Sequence, residues 1–224
     1  GIDLSVGSIL GFTAVFFSLA SIHWRWTAWL AIPLCVLAGS ICGGVSGGLI
    51  ARFKIQPFIS TLAMMVFARG LAKYISGGQK ISTAMQTADG SYTYVELPSI
   101  FNTINSKIFN NNIAVVTIIF LVCLLLCWVL LARLRWGRYL YAIGGNEEAA
   151  RLSGVPVARM KILAYLLCGF FSAVAGICQA AQEYQGDPEA GVSYELSAIA
   201  IVVIGGTSLM GGKGGIGLTL LGAL

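Results

Sequence analysis

Runs of about 20 mostly apolar residues, the length a helix needs to cross a bilayer core of about 30 Å, recur along this chain. They lie near residues 4–21 (span A), 27–51 (B), 57–76 (C), 112–132 (D), 161–181 (E) and 194–210 (F), and a further span, G, begins near Gly215. Inside lipid every backbone N–H and C=O needs a partner within the protein, so only helices and closed barrels span. The runs lack the apolar–polar alternation of barrel strands. The predicted class is therefore all-α, a polytopic transmembrane helix bundle. Composition closes off the other classes. Charged residues make up 10% of the chain and hydrophobic ones 57%, against roughly 25% and 45–50% in a soluble domain. Disorder needs the opposite balance. The 6 cysteines form no CxxC pair and all fall inside the spans, which excludes a secreted disulfide scaffold. The chain opens inside one apolar stretch at Gly1 and stops inside another at Leu224, so it is expected to be a fragment of a longer protein.

The net charge of +5 does not indicate nucleic acid, because the basic residues form no stripe and sit between apolar spans. The B–C turn (Arg52, Lys54), the D–E loop (Arg133, Arg135, Arg138, Arg151, Arg159, Lys161) and the F–G turn (Lys213) hold most of the Lys and Arg. The alternate loops hold Arg25, Lys80 and Lys107 with the acids Asp89, Glu96, Glu183, Asp187 and Glu189. By the positive-inside rule the first set is cytoplasmic. His23, Trp24, Arg25, Trp26 and Trp29 cluster at the A–B turn, as aromatic residues do at a membrane interface. The long polar C–D connection, 77–111, suits either an extracytoplasmic surface for a soluble partner or plain disorder.

Glycine supplies 28 of the 224 residues, where about 7% is usual. In span B, Gly39, Gly43 and Gly47 recur at four-residue spacing with Gly44 and Gly48 beside them, a pattern that lets a neighbouring helix approach backbone to backbone. Gly7 and Gly11 in span A and Ser172 and Gly176 in span E repeat it. Charged residues within spans default to functional hypotheses. Asp3 (with Ser5 beside it), Arg69 and Glu195 are the candidates for pathway or structural roles, with snorkelling to the outer interface the competing account of Arg69 and Lys73. Cys123 and Cys127 share a helix face without a His or acid at metal-ligand spacing, and His23 is the only histidine, so neither a metal site nor a catalytic constellation emerges. The Gly-rich F–G turn fails as a phosphate loop, because Thr207 stands where glycine is required and Gly214 where Ser or Thr is; it reads as a flexible inner turn.

Residues 144–156 specify a short isolated helix. Asn146 is an N-cap, Glu147 and Glu148 occupy the first turn, and Arg151 stands four residues after Glu147 for an ion pair. Gly154 and Pro156 stop it. A helix this short is unstable alone and needs packing from its bundle or a partner. The run Glu148-Ala149-Ala150, then Gly154 and Ile162, is similar to the EAA loop of ABC-importer permeases, with Leu163-Ala164 where that family has Leu-Pro. Gly1-Ile2-Asp3-Leu4-Ser5-Val6-Gly7-Ser8, Gln56-Pro57-Phe58-Ile59-Ser60-Thr61-Leu62, Arg69-Gly70, the stretch from Gly137 to Asn146 and that from Tyr194 through Gly212 resemble the ribose-type monosaccharide permeases, in order along nearly the whole chain.

The resemblance implies a single transmembrane permease domain over 1–224, truncated at both ends, in a bacterial inner membrane. It implies that Asn146, Glu147, Glu148, Ala149, Ala150, Arg151, Leu152, Ser153 and Gly154 form a coupling helix docking on a cytoplasmic ABC ATPase subunit. ATP and Mg would be bound by that ATPase, with no cofactor on this chain and no chemistry catalysed by it. The other implied partners are a second permease subunit, an extracytoplasmic sugar-binding protein and membrane lipid. Two rivals stay open: a permease for another small solute, such as a branched-chain amino acid or a signalling sugar derivative, and a secondary carrier driven by protons or sodium through Asp3 or Glu195. An intramembrane enzyme lacks its acid–base or metal cluster.

Overall fold

A computed structural model describes residues 1–86, 91–109 and 112–224. Asp89 and the parts of the 77–111 connection at 87–90 and 110–111 lie outside the described residues. In chain order the helices are α1 (Val6–Ser18, continued by a wider π turn over Leu19–His23), α2 (Ala28–Phe53), α3 (Pro57–Ser76), α4 (Ser99–Asn105), α5 (Val115–Ala132), α6 (Arg135–Gly145), α7 (Glu147–Leu152), α8 (Val157–Glu183), α9 (Tyr194–Ile204) and α10 (Ile216–Ala223). Two short antiparallel pairs decorate the C–D connection. β1 (Ala84–Gln86) pairs with β2 (Tyr92–Tyr94), and β3 (Lys107–Ile108) with β4 (Ile113–Ala114). Among the described residues, α1 with its π turn, α2, α3, α5 and α8 are long and apolar enough to cross a membrane. These are spans A to E of the sequence.

Local chemistry sets several boundaries. Pro57 opens α3 at a position where its missing N–H costs nothing, and Gly77 closes it at φ +63. The bundle is built around α1, most of whose residues are buried. Towards its outer end Phe17 stacks on Phe101 of α4, ring centroids 5.1 Å apart, within a cluster that includes Cys35 and Ile177. On another side Ile9, Phe12 and Val15 pack with Met64, Ala68 and Ala72 of α3. No residue of α5 is buried, and its apolar surface is left for lipid or a partner.

Glycine governs the contact between α2 and α8. A Cβ on Gly39 would stand 2.9 Å from the Gly169 oxygen, on Gly43 3.0 Å from the Gly169 nitrogen, and on Gly47 2.9 Å from Ile162 Cα. Each would force the helices apart. A Cβ on Gly44 meets only Leu166 Cδ1 at 3.8 Å, and one on Gly48 meets nothing within 4 Å. The close-packed stripe therefore runs along Gly39, Gly43 and Gly47, with Gly44 and Gly48 on the open side.

The sixth expected span is not a single crossing helix. The apolar run 194–210 folds as α9, which ends at Ile204 with Gly205 as its cap. Its length is about 16 Å, half of what a crossing needs. α10 then packs back against α9, where a Cβ on Gly222 would stand 3.0 Å from Gly205 Cα.

Candidate functional site

The segment 184–193, between α8 and α9, folds down into the bundle along α1. Gly186 and Ile81 exchange two backbone hydrogen bonds of 2.8 Å, and Gly186 lies against Val15 and Ser18. The Ala190 carbonyl sits over Gly11, and Gly191 meets Gly7 backbone to backbone. From the level of Ser18 to that of Gly7 is a descent of roughly 16 Å. Ile9, next to Gly7, packs on Gly39 near the middle of α2. α9 thus starts beside Gly7, level with the middle of α2, and is too short to cross a bilayer by itself. Gly7 and Gly11, expected as helix-packing residues, make room for this re-entrant backbone, whereas Gly176 does pack on α1, beside Leu10, Thr13 and Ala14.

Arg69 holds the segment in place. Its Nη1 donates to the Pro188 carbonyl at 2.5 Å and the Ala190 carbonyl at 2.7 Å, and Nη2 to the Gly7 carbonyl at 3.4 Å. The planar fork of a guanidinium suits several acceptors at once. Arg69 therefore points into the bundle, and snorkelling does not describe it. Lys73 pairs with Glu189 at 2.6 Å and Lys80 with Asp187 at 2.9 Å. Burial pushes the Asp187 carboxyl up, but the Lys80 ammonium and the Glu189 N–H outweigh it and hold the group below its ordinary value. The same hydrogen bond raises Lys80. The residues were visible in the sequence but their pairing was not, because the partners are far apart in the chain; the tract Asp187-Pro188-Glu189 just ahead of an apolar run was the one available signal.

Glu195 sits in the first turn of α9, where the helix dipole favours a negative charge, and its carboxylate lies against Gly7. Asp3 and Ser5 lie apart from this cluster, toward the inner side. Asp3 Oδ1 accepts from the Ser5 N–H at 2.9 Å and the Ser5 hydroxyl at 2.6 Å. Asp3 Oδ2 is buried with no hydrogen-bond partner among the described residues. The structure thus brings Arg69 and Glu195 together and places Asp3 with Ser5.

On the face that the positive-inside rule assigns to the cytoplasm, α7 forms where its caps require. Asn146 Oδ1 accepts from the Ala149 N–H at 3.0 Å, and Gly154 adopts φ +82. The expected Glu147–Arg151 pair does not form. Arg151 bonds Glu148 at 3.0 Å, and Glu147 is taken by Lys161 of α8 at 2.7 Å. Ala150 is buried against the bundle, while Leu152 is 82% exposed. Ser153 returns its hydroxyl to the Ala149 carbonyl at 2.9 Å. Beside α7, a cavity of about 440 Å³ opens between Lys54, Gln56, Glu147, Arg151 and Lys161. The F–G turn, expected to be flexible, is instead packed: Gly211 and Gly212 lie against Gly144 and Gly145 at the end of α6.

Comparison with known proteins fits this arrangement. The chain is 41% identical over 225 residues to the ribose import permease protein RbsC of Haemophilus influenzae, covering 100% of this chain and 66% of the relative. It is 37% identical to the fructose import permease protein FrcC of Rhizobium meliloti, over 100% of this chain and 61% of the relative. It is 38% identical to the L-arabinose transport system permease protein AraH of Escherichia coli, over 99% and 63%. The chain thus spans about two thirds of the length of these curated relatives. No solved structure matches it. The family described as the branched-chain amino acid transport system / permease component matches residues 1–224, the whole sequence, and the chain belongs to that family.

Proposed function

We propose that this chain is the transmembrane permease subunit of an ATP-driven, binding-protein-dependent importer for a monosaccharide such as ribose, xylose or galactose, seated in a bacterial inner membrane. The observation that carries this reading is full-chain similarity to permeases named for ribose, fructose and L-arabinose. The family description names branched-chain amino acids, which keeps such a solute as the second reading. In this account α7, over Asn146 to Gly154, is the element that docks on a separate ATPase subunit. Two features support it: a helix of six residues held by its own cap and two ion pairs, and an apolar Leu152 turned outward on a charged face. ATP and Mg belong to that ATPase, and a sugar-binding protein delivers the solute to the outer loops. A second permease subunit completes the pathway. Coupling then consists of different contacts with α7 in the two ATPase states. Arg69 and Glu195 are assigned to holding the 184–193 segment and the start of α9 against α1, and Asp3 with Ser5 to the start of α1, rather than to contact with sugar.

The test is the complete importer in proteoliposomes, with labelled ribose as probe. Uptake is expected to follow ATP and to be indifferent to a collapsed proton or sodium gradient; the reverse dependence would favour a secondary carrier. Gly154→Leu forces a side chain into left-handed backbone. It is expected to preserve insertion while uptake falls relative to hydrolysis, and unchanged uptake would remove the docking role.

A further inference from the structure

The F–G turn meets the end of α6 through glycine backbone on both sides. Gly211 and Gly212 have φ +94 and +74, conformations that suit glycine. A Cβ on Gly211 would stand 2.6 Å from the Gly144 oxygen and 3.0 Å from its Cα, and one on Gly212 would stand 2.9 Å from the nitrogen and Cα of Gly145. The Tyr141 hydroxyl donates to the Gly214 carbonyl at 2.9 Å. A cavity of about 320 Å³ adjoins this contact, lined by Gly144, Gly211 and Gly212 themselves together with Leu140 and Val202, so side chains do not fill in around the joint. Backbone contact at the glycines and one tyrosine bond carry the connection.

Both sides of the joint are tied by backbone hydrogen bonds. The turn is closed by Ser208 N–H to the Lys213 carbonyl at 3.0 Å and Gly211 N–H to the Ser208 carbonyl at 3.1 Å. Thr207 N–H to the Val202 carbonyl at 3.1 Å ties it to the end of α9. On the other side α6 runs into α7 through a single residue. Asn146 donates to the Ala142 carbonyl at 3.0 Å and its own carbonyl accepts from Ala150 at 3.0 Å, leaving no slack between the two helices.

We propose that the Gly144–Gly211–Gly212 contact is the coupling joint that carries displacement of α7 to the short helix α9. Elements in backbone contact transmit displacement through that contact, and two backbones this close cannot move toward each other without one being pushed aside. Gly144, Gly211, Gly212 and Tyr141 are positioning residues for transport. This rests on the reading of α7 as the ATPase-docking helix.

Neighbouring glycines provide the control. A Cβ on Gly145 itself meets nothing within 4 Å, so Gly145→Ala adds the same methyl without wedging the joint. The experiment uses the complete importer in nanodiscs, with hydrogen exchange of peptides 147–153 and 194–206 compared between nucleotide-free and ATP–vanadate-trapped states. In wild type both peptides are expected to respond. In Gly144→Ala and Gly211→Ala the response at 147–153 stays, that at 194–206 disappears, and ribose uptake per ATP falls about tenfold, within the usual range of coupling between sites. Gly145→Ala behaves as wild type. Tyr141→Phe keeps the glycine contact and loses one bond, so it gives a smaller fall of the same kind; if the glycine variants fail to assemble, this variant decides, and wild-type coupling in it overturns the joint. An intact 194–206 response in Gly144→Ala, or equal damage from Gly145→Ala, also overturns the joint while leaving the docking reading untouched. A wild-type 147–153 peptide indifferent to nucleotide overturns the docking reading, and the joint with it.

Discussion

Arg69 shows what a charge inside a bilayer must do to stay there. A guanidinium in hydrocarbon is expensive unless its donors are satisfied, and an irregular backbone at that depth is expensive unless its carbonyls are. The two costs cancel against each other where Nη1 meets the carbonyls of Pro188 and Ala190. Removing the guanidinium leaves those oxygens unpaired, at roughly 1.5–3 kcal/mol for each charged hydrogen bond. Arg69→Leu is therefore expected to free the 184–193 segment, seen as hydrogen exchange in that peptide rising at least to the level of the outer loops, with uptake lost. Arg69→Lys keeps the charge without the fork and should fall between the two. Protection of 184–193 unchanged in Arg69→Leu would show that α1 alone holds the loop. The sequence marks Arg69 as a charge within a span, and the structure sets it in the second half of α3. The sequence offered no sight of acceptors more than a hundred residues away, and on a lone helix, snorkelling was the cheaper solution. The same limit explains Arg151. Four-residue spacing favoured Glu147, but Lys161 of the next helix takes that acid once α8 folds back.

At the level of elements, helices that cross the whole bilayer were legible from apolar length, because lipid imposes a thickness and the backbone imposes a rise per residue. The approximate ends of α1, α2, α3, α5 and α8 follow from that alone. Residues 194–210 are as apolar, yet the helix stops at Ile204, and the chain has already descended along α1 before this stretch begins. Nothing in a single run of residues encodes the level at which it starts. Glycine is a similar case: Gly43 and Gly48 look alike in the sequence, but their surroundings differ. Gly43 faces the α8 backbone, while Gly48 faces open space. Gly43→Leu is expected to wedge α2 from α8, costing on the order of 1–3 kcal/mol or more from overpacking, read as a clear drop in unfolding temperature in detergent. Gly48→Leu should leave that temperature nearly unchanged. A drop in both would mean that another subunit covers the Gly48 side.

The whole molecule presents a more general problem. A helix too short to cross, and the turn before it, expose backbone groups within the depth of the bundle, where lipid offers them no partners. Val192, Ser193 and Tyr194, where α9 begins, and Ser197 and Ala198 on it are all exposed in the isolated chain. α5 is exposed as well, but it is helical throughout and apolar, so lipid suffices for it. The two surfaces therefore ask for different neighbours: α5 for lipid or an apolar helix, and the start of α9 for protein or water. In a transporter, broken helices characteristically line the path of the solute, since helix termini supply oriented dipoles without formal charge. In the assembled importer, on a background with its native cysteines replaced, Ser197→Cys and Ala198→Cys are expected to react with a membrane-impermeant thiol reagent. Leu121→Cys and Leu125→Cys on α5 should not. Trapping the ATPase should change the first pair's labelling rate and leave the second pair silent. If Ser197→Cys stays unlabelled in every state while the protein remains folded, the α9 face is sealed by a second subunit, and the path runs elsewhere. If all four positions label alike, the membrane boundary drawn from the apolar spans is at fault.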